Sequence, residues 1–252
     1  MASSSDQRTQ DERTFLAAYD PEKFERPSVA VDVALLSVVR GEVKILLVRR
    51  SEHPDFGKWA LPGGFVGISE SLEQAAARVL HEKAHQENVF LEQLYTFGDP
   101  ARDPRTRVIS IVYFALVDQS RFDRETALSR DVAVGRVIVD WEGETGGAAS
   151  VVDGDGAPFD LAFDHAEIIG TCVKRLRGKL NYTPIGFELL PRRFTLRRLQ
   201  TVHEAILGRT LNKDSFRRRM LATGLLEPTG DREAEVGHRP AELYRFTSPI
   251  ER

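Results

Sequence analysis

Residues 64–86, GFVGISESLEQAAARVLHEKAHQ, constrain the fold more than any other part of the chain. A loop of small residues runs into a helix on which Leu72, Ala75, Ala76, Val79 and Leu80 form one apolar face. Such a face has to be buried against a partner, and the flanking sequence supplies strands. Residues 29–39 and 43–49 are apolar and β-branched with Gly41 between them, a hairpin signal. Residues 107–117 (RVISIVYFALV) are almost continuously apolar, as expected of a strand buried on both faces. Residues 132–141 read as a further strand.

The pattern changes near residues 143–156, where Gly143, Gly146, Gly147, Gly154 and Gly156 mark a loop region. Residues 164–180 then read as a helix with Ile168, Ile169, Cys172, Val173 and Leu176 on one face and Asp164 as N-cap. Pro184 and Pro191 bracket a connector. Beyond it Thr195 caps a helix carrying Leu196, Leu199, Val202, His203, Ile206 and Leu207, and Gly208 ends it. Asp214 is expected to cap a second helix, 215–223, with Phe216, Met220 and Leu221 facing inward. A strand begins at Leu225-Leu226, a polar turn covers 228–237, and 241–246 return as a strand. The division is a disordered tail over 1–26, a strand-rich domain over 27–158, a helix and connector over 159–190, and a helix–turn–helix–hairpin unit over 191–252.

A net charge of −3 for the 252 residues speaks against a nucleic-acid partner, but the distribution reverses that reading. Residues 191–252 hold 13 Lys and Arg against 8 Asp and Glu, and the rest of the chain holds 22 against 30. A basic end on an acidic chain is a hint of nucleic-acid binding. The single Cys172 forms no internal disulfide. No stretch of about 18 apolar residues is present, and the polar start lacks a signal-peptide core. The expectation is a cytoplasmic protein, at the bacterial nucleoid if it binds DNA, with no membrane partner.

Residues 64–86 resemble the Nudix box: Gly, five residues, Glu, seven residues, then Arg-Glu-aliphatic-any-Glu-Glu-any-Gly-aliphatic. Gly64, Glu70, Arg78, Leu80 and Glu82 match, as do the lead-in Trp59-Ala60-Leu61-Pro62-Gly63 and the preceding Leu46-Leu47-Val48-Arg49-Arg50. The resemblance, over roughly residues 28–140, implies an α/β (α+β) fold: a Nudix α/β/α sandwich with a mixed sheet. Three carboxylates at helix positions i, i+3 and i+4 would share a face there and hold Mg²⁺. Here those positions are Val79, Glu82 and Lys83. Val79 offers no ligand, and the Lys83 cation repels a metal while attracting phosphate. His85 and Gln86 replace the closing Gly and aliphatic. Weak or absent Mg²⁺ binding and hydrolysis follow, with no cofactor required and a nucleotide pocket retained. The pocket candidates are Arg49, Arg50, Lys58, Glu70, Arg78, Glu82, Lys83, Arg105 and Arg107, with Arg78 orienting Glu70. Phe56 or Trp59 could stack a base or be core. His81 and His85 have zinc spacing but lack ligands beyond Glu82 and read as surface.

The C-terminal unit is similar to that of the Nudix-related transcriptional regulators (NrtR-type). Residues 194–209 (FTLRRLQTVHEAILGR) resemble that family's first C-terminal helix, 213–220 (KDSFRRRM) its recognition helix, and 237–246 (GHRPAELYRF) its wing and final strand. The resemblance implies a winged helix-turn-helix, a homodimer on a near-palindromic double-stranded operator, and a repressor of NAD biosynthesis or salvage genes. ADP-ribose or a related nucleotide is the implied effector. DNA-contact candidates are Arg192, Thr195, Lys213, Ser215, Arg217, Arg218, Arg219, His238 and Arg239, since a recognition helix enters the major groove N-terminus first. The alternative is an active Nudix hydrolase of ADP-ribose or a similar diphosphate; a weaker one is an inert interaction scaffold.

Overall fold

The computed structural model describes residues 4–126, 131–234, 237 and 239–247. The elements run α1 (Ser4–Ala18), β1 (Ser28–Val39), β2 (Glu42–Arg49), β3 (Trp59–Ala60), β4 (Gly63–Phe65) and α2 (Leu72–Ala84). There follow β5 (Phe90–Phe97), β6 (Val108–Leu116), α3 (Gln119–Thr126), β7 (Val132–Ile138), β8 (Ser150–Val152) and α4 (His165–Lys179). The chain ends with α5 (Leu196–Leu207), α6 (Lys213–Ala222), β9 (Leu226–Arg232) and β10 (Glu242–Phe246). Residues 1–26 were expected as a disordered tail; within them Ser4–Ala18 form α1, and every side chain from 8 to 27 is exposed.

The main sheet has the order β5-β6-β1-β2-β7-β8, with β3 paired to β2 and β4 to β1. β1 and β6 run parallel and the other pairings are antiparallel, so the sheet is mixed. The period-2 alternation of β1 decides the layers. Val31, Val33 and Leu35 pack with Ala75, Ala76, Val79 and Leu80 of α2. Ala34, Leu36 and Val38 face the other way, toward Ile168, Ile169, Cys172 and Leu176 of α4. One helix layer on each face makes an α/β/α sandwich. Each fully buried Leu, Ile or Phe contributes about 1.5–3 kcal/mol.

α2 starts at a capping box: Ser71 Oγ accepts from the Gln74 N–H, and the Gln74 side chain accepts from the Ser71 N–H. It ends at His85, in the left-handed conformation (φ 51°) that a glycine would adopt more cheaply. Asp164 does not cap α4 with its side chain, which is drawn off to Arg102. Gly170 lets α4 lie against the 143–147 loop, where an added Cβ would come within 1.8 Å of the Gly147 carbonyl oxygen.

The C-terminal unit is helix, turn, helix, two-stranded wing. Thr195 caps α5 as expected. Asn212, not Asp214, caps α6, because its carboxamide oxygen reaches the Ser215 N–H. Phe216 is buried and Met220 packs partly, whereas Leu221 is 40% exposed, one position round the helix from the core face. The polar stretch expected as a turn from 228 is strand up to Arg232. The unit is not packed separately: the apolar cluster on the α4 side of the sheet continues through Ile185 and Leu189 into Leu199, Ile206, Phe216 and Tyr244.

Candidate functional site

Two regions concentrate positive charge. The first is a cleft of about 320 Å³ at the ends of β1 and β2, walled by residues 60–65 of the β3–β4 segment, by the 102–105 loop and by Lys83 of α2. Five cations, Arg49, Arg50, Lys83, Arg102 and Arg105, line it against three carboxylates, Asp32, Glu52 and Asp103. An excess of guanidinium groups in a half-shielded cleft favours a polyanionic guest.

Four of the nine pocket candidates, Arg49, Arg50, Lys83 and Arg105, line this cleft. Arg50 is held by donating to the Pro54 and Glu52 carbonyls and lies 4.6 Å from the Phe163 ring centroid. Partial burial lowers its pKa, with Arg105 adding to the shift. Arg105 grips Asp103 through two bonds of 3.0 and 2.8 Å, which lowers the Asp103 carboxyl pKa. The other five candidates lie outside the lining. Lys58 pairs with Asp55 at 3.0 Å, and Arg107 donates to the Asp99 carbonyl. Arg78 clasps Glu70 and donates to the Phe65 carbonyl, while Glu70 also accepts from the Gly67 N–H. Arg78, then that N–H, hold the Glu70 carboxyl at about 2. This pair latches the loop. Glu82 sits 3.5 Å from Arg78, half-exposed.

The metal positions do not fit a divalent ion. Val79 is 1% exposed in the α2 core and Lys83 projects at the cleft. Among the described residues no three His, Cys, Asp or Glu side chains gather to hold a metal. His81 pairs with Glu87, and Trp59, partly buried, packs edge-on against Phe159 at the margin of the core. Phe56 is exposed and outside the cleft; the aromatic side chains in the lining are Phe65 and Phe163.

Sequence reading missed the cleft floor. Asp32 accepts from Ser110 Oγ and lies 3.9 Å from His165 Nε2. His165 Nδ1 accepts from the Leu61 N–H at 2.9 Å, which leaves the imidazole proton on Nε2, facing Asp32. Burial lowers the His165 pKa and keeps the ring neutral. Gly63 passes so close that an added Cβ would lie 2.2 Å from an Asp32 oxygen. Arg102 completes the floor with a bidentate grip on Asp164, the residue before α4. The first turn of α4 is thus part of the cleft. Near its other end, buried Arg177 donates to the Ile206 carbonyl at the C-terminus of α5 and to the Trp141 and Gly143 carbonyls, and lies over the Trp141 ring.

The second region is the outer face of the C-terminal unit. Arg192, Lys213, Ser215, Arg217, Arg218, Arg219 and Arg239 are exposed there. Arg219 lies over the Phe216 ring at 5.5 Å. Thr195, expected as a contact, is 7% exposed, and its hydroxyl is taken up by capping α5, so it serves the fold. His238 lies outside the described residues.

Comparison with known proteins follows the same division. Residues 27–135 match the family described as NUDIX domain, and residues 186–246 the NrtR DNA-binding winged helix domain. The chain is 37% identical over 237 residues to the ADPR responsive transcriptional repressor NtrR of Acinetobacter baylyi, covering 93% of this chain and 88% of that one. It is 34% identical over 143 residues to an ADP-ribose pyrophosphatase of Methanocaldococcus jannaschii, covering 57% and 71%. The crystal structure of Shewanella oneidensis NrtR complexed with a 27mer DNA superposes with a TM-score of 0.72 at 34% identity, covering 87% of this chain and 93% of that chain. A MutT/nudix family protein from Enterococcus faecalis superposes with a TM-score of 0.74 at 25% identity, covering 98% and 100%.

Proposed function

Since the chain belongs to the NrtR family of repressors, in which a Nudix domain is joined to a winged helix, we propose that it represses transcription and responds to ADP-ribose. The observation that carries this reading is the pairing of two cationic surfaces on one core. A cleft with five cations meets a helix lacking the metal trio, and α6 offers exposed Lys213, Arg217 and Arg218 to a major groove. Residues 27–158 bind the effector together with Phe163 and His165 of the cleft lining, the rest of 159–190 connects, and 191–252 bind DNA. Lys83 takes over the charge-neutralising part of the metal against a pyrophosphate. The protein therefore needs no cofactor and hydrolyses little or nothing. It works as a homodimer in the bacterial cytoplasm, at the nucleoid, on near-palindromic operators of NAD biosynthesis or salvage genes.

For ADP-ribose to change DNA affinity it must bind one arrangement of the winged helices better than another. α4 is suited to transmit that difference, since its first turn is cleft floor and its Arg177 holds the end of α5. The test is a DNA titration at fixed salt with the protein's own promoter and NAD-gene promoters, with and without ADP-ribose. Sequence-selective binding that shifts with ADP-ribose supports the proposal; binding no tighter than to random DNA removes it. Turnover of ADP-ribose with Mg²⁺ would favour the hydrolase reading, and sedimentation as a monomer would contradict the dimer.

A further inference from the structure

The turn between β1 and β2 is two residues long, Arg40-Gly41, inside a register that pairs Val39 with Glu42. Both residues have positive φ, 52° and 80°. Two-residue hairpins of this kind favour Asn-Gly, because Asn and Gly tolerate the left-handed region and longer side chains do not. An arginine held there costs about 1 kcal/mol or more, and such strain persists where the side chain has a task. The turn abuts the winged helix: an added Cβ on Gly41 would lie 3.5 Å from Thr201 Cγ2 of α5.

Between the turn and α5 runs a groove of about 350 Å³. Four arginines line it, Arg40, Arg193, Arg197 and Arg198, with Glu233 as the one carboxylate among its lining residues. Arg193 is paired with Asp231 of β9 at 2.7 Å, and Arg197 has only a long contact of 3.7 Å to Glu204. Arg40 and Arg198 are exposed, and among the described residues neither guanidinium has a hydrogen-bond or ion-pair partner. Two domains thus converge like charges on one space, an arrangement that repels until an anion occupies it. The groove flanks the first turn of α5 and the base of the wing. In helix-turn-helix proteins the helix before the recognition helix crosses the DNA backbone.

We propose that this groove takes a backbone phosphate of bound DNA, so that Arg40 of the sensor domain is itself a DNA contact, with Arg198 as its partner across the groove. The contact rests on the DNA-binding reading above. It adds affinity without sequence preference, since phosphate contacts position and do not read bases.

The test uses the full-length protein and two duplexes, its own promoter and a random sequence, titrated over a range of salt concentrations. Arg40→Asn is the informative variant, because Asn suits the left-handed turn and its melting temperature should hold or rise. Arg40→Asn and Arg198→Gln are each expected to weaken both duplexes several-fold, by similar factors. Each should make the slope of log K against log salt shallower, by up to about 0.9 for each protomer's contact and so up to about 1.8 for a dimer. Unchanged slopes in both variants, while Arg217→Gln loses promoter binding, would overturn this contact and leave the repressor reading standing. Failure of the wild type to bind either duplex would overturn both. Inorganic pyrophosphate, titrated into DNA-free protein, separates the other source of phosphate. If Arg40→Asn abolishes its binding but leaves the DNA slopes unchanged, the groove belongs to a small anion and the DNA contact is refuted.

Discussion

Lys83 shows how one side chain can redirect a fold. Its position on α2 is where a carboxylate would complete a metal trio, and it lines the cleft beside four arginines. Replacing it with Glu should weaken ADP-ribose binding by about tenfold or more in the absence of metal, an energy of about 1.4 kcal/mol, as read by calorimetry. An equal affinity in the variant would remove Lys83 from the ligand. His85 makes a different point. It ends α2 in a conformation that carries a penalty for a side chain, and its side chain is exposed. His85→Gly should therefore raise stability by up to about 1 kcal/mol, offset in part by the freer unfolded chain and read as a higher denaturant midpoint. Legibility at this scale was uneven. Val79 and Lys83 could be read because helical spacing is local. The cleft floor could not, since His165 meets Leu61 across 104 positions of sequence and no periodicity carries that information. Asp32 did leave a trace, as the lone charged residue in a mostly apolar strand.

Helices and strands were legible where their apolar faces repeat, and their ends less so. The α6 cap fell on Asn212 because side-chain reach decided it, and Asp164 was lost as a cap to a stronger partner in Arg102. In α4, Arg177 satisfies three carbonyls from two regions. Arg177→Met should cost about 1–3 kcal/mol in chemical denaturation, because the buried Ile206 carbonyl loses its donor. In protein that remains folded, the ADP-ribose-dependent change in DNA affinity should shrink. In α5, His203 is buried against the Phe216 ring, and burial, with Arg219 nearby, pushes its pKa down to about 4. The unfolded chain binds that proton more tightly, with a pKa of about 6.5. The associated stability is complete above about pH 6.5 and is lost as pH falls toward 4, by at most about 3 kcal/mol. His165, shifted the same way, adds to the acid limb. Urea midpoints at pH 4.5 and 8 should differ, and His203→Gln should reduce the difference; an unaltered acid limb would place its origin elsewhere.

At the scale of the whole molecule, the order of elements followed from the sequence, but the way the two halves join did not. A boundary near residue 190 divides the sequence signals. The packing ignores it, for one apolar cluster runs from the sheet through α4 and residues 185–190 to Phe216 and Tyr244. The pattern of α5 shows that it has an apolar face, and says nothing about which surface covers it. This joint limits how such proteins can be rearranged. The winged helix is no interchangeable cassette: moved to another sensor, α5 would lose its packing against β2, α4 and residues 185–189 unless the new host carried a matching socket. Exchange of sensors between regulators, by recombination or by design, should fail with the cut placed at the sequence boundary, and a cut before α4 only moves the mismatch to Ile168, Ile169, Cys172 and Leu176, which are seated on the sheet.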